Sequence, residues 1–114
     1  GTIDCLCKNG DSYEIYDWKR SSKVIDYYGD PILENNWGHI GYGPIKHIHD
    51  TSFWRYALQQ NIYKFILEKN YGIKISAMKI LVLHSDYDMP YLLDILNLGT
   101  EVIQMLEIIK NKVK

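Results

Sequence analysis

Alternating apolar and polar positions near the start of the chain predict a β-hairpin. Two runs that are rich in β-forming residues, 1–7 and 13–21, flank Asn9-Gly10, a dipeptide typical of tight hairpin turns. Successive side chains of a strand point to opposite faces. Asp4 and Leu6 therefore share one face of the first predicted strand.

The length of the turn decides which residues face each other across the hairpin. If residues 9–12 form the turn, Lys8 pairs with Tyr13 and Asp4 falls opposite Asp17. A two-residue turn keeps the same facing but moves Asp17 diagonally away from Asp4. A three-residue turn would place the two aspartates on different faces of the hairpin.

Lys19 lies two residues after Asp17, so its side chain projects from the same face as the two aspartates. One interpretation is a solvated face on which Lys19 pairs with one carboxylate. The other is a site for a divalent cation, because facing aspartates repel each other and a carboxylate within an apolar strand needs a partner. Hard oxygen ligands suit Mg²⁺ or Mn²⁺.

The remainder of the chain predicts alternating strands and helices. Residues 29–50 are rich in glycine, proline and asparagine, which indicates a long loop or insertion. The elements predicted around this loop are a short strand or irregular segment at 23–28, a helix at 53–70 that ends at Gly72, a strand at 74–83, an edge strand at 89–96 and a helix at about 101–112 that Thr100 caps. This order predicts an α/β sandwich that forms a single domain over 1–114.

The predicted helix at 53–70 carries two stripes, and Asp50, Thr51 or Ser52 is suited to cap its start. The first stripe is apolar and should face the core; it comprises Phe53, Ala57, Leu58, Ile62, Phe65 and Ile66, with Tyr56 at its margin. The second stripe contains Arg55, Gln59 and Tyr63 at four-residue spacing, so these side chains project together. In the final helix, the positions expected to point inward are Val102, Ile103, Met105, Leu106 and Ile109.

Composition narrows the classes of function. The formal net charge of −1 excludes a generally basic protein, so any surface that binds nucleic acid must be local. Cys5 and Cys7 lie two residues apart on one strand, a spacing that disfavours a disulfide and predicts two reduced core cysteines in an intracellular protein. No signal peptide or membrane-spanning run is visible. The loop histidines lack partners at zinc-site spacing and are expected to be ordinary polar residues; they are His39, His47 and His49.

Two motifs resemble a known family. An Asp on one strand, a turn and then Asp17-x-Lys19 resemble the core of the PD-(D/E)xK nucleases. The strings Gly-Thr-Ile-Asp-Cys and Ile-Tyr-Asp-Trp-Lys-Arg-Ser resemble the RecB-type exonuclease branch, which includes mitochondrial and lambda-type viral exonucleases. Gln59-x-x-x-Tyr63 matches the signature that this branch carries on the following helix. Two departures are Ile3 in place of the usual proline and Gln60 at a position that is often apolar.

The resemblance implies a restriction-endonuclease-like core, in which helices flank a central mixed β-sheet. It implies that Asp4, Asp17 and the backbone carbonyl of Trp18 hold Mg²⁺ or Mn²⁺, and that Lys19 positions the attacking water or stabilises the phosphate. Gln59 and Tyr63 would lie beside the metal and complete the catalytic set. The family core begins with a helix that would precede Gly1, so the chain is expected to be a fragment of a longer parent chain, truncated at its N-terminus.

The expected function is therefore metal-dependent hydrolysis of single- or double-stranded DNA by an exonuclease of recombination, repair or replication. Arg20, Lys23 and Arg55 are expected to contact the DNA, with Trp37 or Tyr42 from the loop stacking on bases. A structure-specific endonuclease and a restriction-like enzyme are competing enzymatic interpretations. An interpretation of a different class is a non-catalytic nucleic-acid-binding or interaction domain that retains the nuclease fold.

Overall fold

A computed structural model describes residues 4–34, Ile48 and residues 51–112. Over these residues the chain has an α/β fold with a four-stranded mixed sheet and two helices. Most of the predicted loop at 29–50 lies outside the described residues, and so do Ile3, Trp37, Tyr42 and the three loop histidines. The elements in chain order are β1 (Cys5–Asn9), β2 (Ser12–Lys19), α1 (Ser52–Tyr71), β3 (Ile75–Val82), β4 (Tyr91–Asp94) and α2 (Gly99–Lys112).

The hairpin of β1 and β2 has the register that the sequence predicts for a turn over residues 9–12. Lys8 pairs with Tyr13, and the antiparallel ladder runs as far as Cys5 opposite Tyr16. Gly10 occupies the turn with a φ of 63°, a conformation that glycine adopts without a steric penalty. The next step of this ladder brings Asp4 to the level of Asp17.

The sheet has the strand order β1-β2-β3-β4, with β2 parallel to β3 and the two outer pairs antiparallel. A parallel pair requires a crossover connection, which α1 provides here. The side chains on one face of the sheet are buried, and we call this the α1 face; it comprises Ile15, Asp17, Met78, Ile80, Val82 and Leu93. Phe53 and Ala57 of α1 belong to the same core cluster.

The ends of α1 follow local signals in the sequence. The side chain of Thr51 accepts a hydrogen bond from the backbone N–H of Trp54 (3.3 Å), which caps the start of the helix. Gly72 follows the last turn in a left-handed conformation, with a φ of 66°. Both termini agree with the prediction within two residues.

The predicted inward face of α1 was wrong in part. Ile62 and Ile66 are 36% and 40% exposed, whereas Gln60 and Asn61 are buried. The polar pair is buried because both amides satisfy backbone groups: Gln60 donates to the carbonyl of Lys79, and Asn61 bonds to the segment that joins β4 to α2.

Residues 23–28 form an irregular segment, one of the two predicted alternatives, with an isolated bridge from Ile25 to Pro31.

Two predictions for the last helix require correction. Helix α2 begins at Gly99, so Thr100 lies within it. Of the positions expected to point inward from α2, Val102 is buried, Met105 is half-buried, and Ile103, Leu106 and Ile109 are exposed.

The predicted edge strand is confirmed as β4.

The two cysteines are not core residues, in contrast to the prediction. Cys5 and Cys7 are half-buried free thiols whose sulfurs lie 3.0 Å apart. They lie on the sheet face opposite the α1 face, because their ladder partners are Tyr16 and Glu14. The pKa of Cys7 is raised, mainly by its contact with the Cys5 thiol and to a smaller extent by burial. Over the described residues, neither helix is long and apolar enough to cross a membrane.

Candidate metal and phosphate site

The hairpin register brings two carboxylates and an ammonium together at the end of β2. Asp4 Oδ2 accepts a hydrogen bond from the backbone N–H of Trp18 (2.7 Å), which ties the residue before β1 to β2. Lys19 Nζ lies 2.9 Å from Asp17 Oδ2. The structure thus brings together Asp4, Asp17 and Lys19, as the sequence predicts.

Asp17 is the buried member of this group, with only 3% of its surface exposed. Its buried Oδ2 has a charge partner in Lys19 but no hydrogen-bond donor with suitable geometry among the described residues. Burial is the main cause that raises the pKa of Asp17, and the contact with Asp4 raises it further, while Lys19 opposes both. A buried carboxylate in this state gains from an additional cation or donor.

Asp4 is exposed, and its pKa is shifted in the opposite direction from that of Asp17. Its contact with the Asp17 carboxyl and the hydrogen bond from the Trp18 amide lower the pKa of Asp4. When one proton is shared between the two carboxyls, Asp17 holds it and Asp4 stays ionised. A cation bound at this pair would lower the pKa of Asp17, because it favours the ionised carboxylate.

Two carboxylates and one carbonyl are oxygen ligands of the kind that Mg²⁺ and Mn²⁺ prefer. In an extended strand the N–H and C=O groups of one residue point to the same side. Because the N–H of Trp18 points to Asp4, its carbonyl is directed toward Asp4 as well. Among the described residues, no group of three or more His, Cys, Asp and Glu side chains is arranged to hold a metal ion.

The aromatic ring of Tyr56 in α1 contacts the same ammonium. Lys19 Nζ lies 4.5 Å from the centre of this ring, within the range of a cation–π interaction. Tyr56 is thus a site residue that the sequence analysis placed only at the margin of the apolar stripe. Its aromatic character and its position one turn before Gln60 are the only sequence signals for this role.

Gln59 and Tyr63 pair with each other on α1. Gln59 Nε2 donates to the hydroxyl of Tyr63 (3.3 Å), and both side chains are half-buried. The neighbouring Gln60 is 1% exposed and donates from Nε2 to the carbonyl of Lys79 (3.0 Å). The contribution of Gln60 was not predicted; the available signal was a polar residue at a position that is often apolar in the nucleases that the Gln59-x-x-x-Tyr63 motif resembles.

The basic residues predicted to contact DNA occupy three different places. Arg20 follows β2 and lines a cleft of about 440 Å³ with Leu83, His84 and Ser85. The side chain of Lys23 is exposed in the irregular segment after β2. Arg55 is exposed on α1 and donates to Ser52 Oγ (3.2 Å).

The cleft beside Arg20 lies at the carboxyl ends of the parallel strands β2 and β3, an edge where α/β sheets commonly bind ligands. His84 contributes a directed donor there. Its Nδ1 accepts a hydrogen bond from the backbone N–H of Asp86 (3.1 Å), so Nε2 carries the proton in the neutral ring. Arg20 and His84 thus bring two hydrogen-bond donor groups to this cleft.

Comparisons with known proteins leave the family open. No protein-family model, no curated protein and no solved structure matches this chain.

Proposed function

We propose that the protein is a metal-dependent nuclease that hydrolyses DNA phosphodiester bonds, and that its sheet and helices form a restriction-endonuclease-like core of the PD-(D/E)xK, RecB-type branch. The observation that carries the proposal is the buried Asp17 carboxylate, which has an exposed carboxylate, Asp4, beside it and Lys19 2.9 Å away. Two carboxylates with one ammonium on the end of a strand suit a cation and a phosphate together.

Each residue has a distinct proposed role. Asp4, Asp17 and the carbonyl of Trp18 hold Mg²⁺ or Mn²⁺, which when bound lowers the pKa of water and neutralises phosphate charge. Lys19 stabilises the negative charge that develops on the phosphate, since an ordinary ammonium is a poor base. Asp17 and Tyr56 hold that ammonium in place.

The basic cleft supports a nucleic-acid substrate. Arg20 directly follows Lys19 in the chain, so the cleft that it shares with His84 adjoins the proposed catalytic residues. A phosphate bound there would belong to a nucleotide next to the one that is cleaved. Lys23 and Arg55 are proposed to add charge along the same strand of DNA.

The test is Mn²⁺-dependent digestion of end-labelled single- and double-stranded DNA. Asp17→Ala and Lys19→Ala are expected to lower the rate by about a hundredfold or more. The matched controls are Asp94→Ala and Lys79→Ala, because these residues form an Asp–Lys pair (3.5 Å) on the opposite face of the sheet. The product ladder separates exonucleolytic from endonucleolytic cleavage.

Activity that is absent, or that is equally affected by the control pair, would overturn the nuclease proposal. DNA binding without hydrolysis would favour the alternative of a non-catalytic nucleic-acid-binding domain with the same fold. In that case the contacts of Lys19 would serve stability alone.

A further inference from the structure

Gln60 presents a buried oxygen without a hydrogen-bond partner. Its Nε2 donates to the carbonyl of Lys79 (3.0 Å), which fixes the nitrogen end of the amide toward β3. The other end, Oε1, is buried and accepts no hydrogen bond from any described residue. An acceptor that loses its hydrogen bonds to water on burial and forms none in the protein destabilises the fold. A donor or a cation is therefore expected beside this oxygen.

Gln60 lies at the same level of the fold as Asp17. Tyr56 contacts Lys19, and Gln60 follows Tyr56 by one helical turn, about 6 Å along α1. Asp17 precedes Lys19 by two strand residues, about 6.6 Å along β2. Because α1 connects two parallel strands, it runs antiparallel to β2. The step forward along α1 from Tyr56 to Gln60 therefore has the same direction as the step backward along β2 from Lys19 to Asp17.

The strand register gives the same placement independently. Asp17 pairs with Ile80 across β2 and β3, and the carbonyl that Gln60 contacts belongs to the adjacent residue, Lys79. Asp17 and Ile80 both lie on the α1 face of the sheet, the face that Gln60 covers. Two buried side-chain oxygens, Asp17 Oδ2 and Gln60 Oε1, therefore face the same layer between helix and sheet.

We propose that Gln60 Oε1 is a further ligand of the cation held by Asp4 and Asp17. The inference rests on the metal site of the proposed function and adds a residue to it. A hard divalent cation takes six or more oxygen ligands, and the two carboxylates and one carbonyl leave room for a neutral amide oxygen. Coordination would give the buried Gln60 Oε1 the partner that it lacks among the described residues.

Gln104 provides the control. It is the same residue type as Gln60, and its side chain is exposed on α2, a helix that contributes no residue to the proposed site.

The experiment measures Mn²⁺ affinity by calorimetry with the metal alone, without DNA. Gln60→Met is expected to weaken Mn²⁺ binding by about tenfold or more, whereas Gln104→Met stays within about threefold of the unmodified chain. Gln60→Glu replaces the neutral oxygen ligand by a carboxylate and is expected to bind Mn²⁺ more tightly than the unmodified chain. Urea unfolding in EDTA checks that each variant is folded.

The outcomes separate this inference from the nuclease proposal. If Asp17→Asn abolishes Mn²⁺ binding while Gln60→Met leaves it unchanged, the role of Gln60 is overturned and the carboxylate site stands. If the unmodified chain binds no Mn²⁺, the metal site fails and the Gln60 ligand fails with it. Should Gln60→Met not fold, Gln60→Glu decides: unchanged affinity overturns the inference, and tighter binding supports it.

Discussion

The ammonium of Lys19 lies between the carboxylate of Asp17, 2.9 Å away, and the aromatic ring of Tyr56, whose centre is 4.5 Å away. One partner comes from β2 and the other from α1. The contact therefore joins the helix to the strand next to the candidate site. Lys19 is partly exposed, with 21% of its side chain accessible, so the free energy of each contact is moderated by water.

The contact between Tyr56 and Lys19 should appear as a coupling free energy. In a double-mutant cycle of Tyr56→Leu with Lys19→Met, urea unfolding is expected to give about 0.5–1 kcal/mol of coupling. Tyr56→Phe keeps the ring and should change the unfolding free energy by much less than Tyr56→Leu. Additive effects of the two substitutions would show that the ammonium and the ring do not interact.

The stability of the metal-free protein should depend on pH through Asp17. Burial, then Asp4, raise the folded-state pKa of Asp17 above the ordinary value of 3.8. At a pH between the pKa of Asp17 in the unfolded chain and its higher pKa in the folded protein, the folded state binds more protons than the unfolded state. The contribution of Asp17 to the free energy of unfolding therefore falls as pH rises through its folded-state pKa. Asp17→Asn removes this dependence and should stabilise the metal-free protein more at pH 7 than near pH 4.

The measurement is the difference in urea unfolding free energy between Asp17→Asn and the unmodified chain at several pH values in EDTA. Asp94→Asn is the control, because its carboxylate is 87% exposed and lies on the opposite sheet face. A difference for Asp17→Asn that is constant with pH would contradict the raised pKa.

Asn61 should be far more important for stability than its neighbour Gln60. The Asn61 amide donates to the carbonyls of Ala57 (2.8 Å) and Leu96 (3.0 Å) and accepts from the N–H of Leu98 (2.7 Å). Asn61→Leu leaves the buried groups of the β4–α2 connection without partners and is expected to cost roughly 2–4 kcal/mol.

The comparison with Gln60→Met makes this prediction specific. Removal of Gln60 loses one hydrogen bond but also removes a buried oxygen that has no hydrogen-bond partner, so we expect a change within about 1 kcal/mol without metal. Urea unfolding in EDTA measures both variants. Equal losses would mean that the two amides have the same structural role.

The hairpin was predictable because its determinants are local in sequence. Asn9-Gly10 indicates the turn, and the period of two along each strand limits which faces can meet. The register that brings Asp4 level with Asp17 is that of a turn over residues 9–12, one of the turn lengths that the sequence allows. The ends of α1 were predictable for the same reason, since Thr51 and Gly72 act on adjacent backbone groups.

Properties that depend on distant partners could not be predicted. Gln60 and Asn61 are buried because of Lys79, Leu96 and Leu98, which lie 19 to 37 residues further along the chain. A polar residue on a helix faces solvent unless such partners exist. The position of these two residues in the helical pattern of the sequence therefore predicts exposed side chains. The contact of Tyr56 with Lys19 depends in the same way on how α1 crosses the sheet.

Gly29 should tolerate substitution less well than Gly10. Both glycines have positive φ, 83° and 63°, but a Cβ at Gly29 would lie 2.6 Å from the ring of Tyr91, whereas a Cβ at Gly10 meets open space. Gly29→Ala is expected to cost about 1–3 kcal/mol in urea unfolding and more than Gly10→Ala, which carries the backbone penalty alone. In the background of Tyr91→Leu, the additional cost of Gly29→Ala should shrink toward that of Gly10→Ala, because the ring is removed while the backbone strain remains. Equal costs for the two glycines with Tyr91 present would show that the irregular segment moves away from β4 and does not hold Gly29 against the ring.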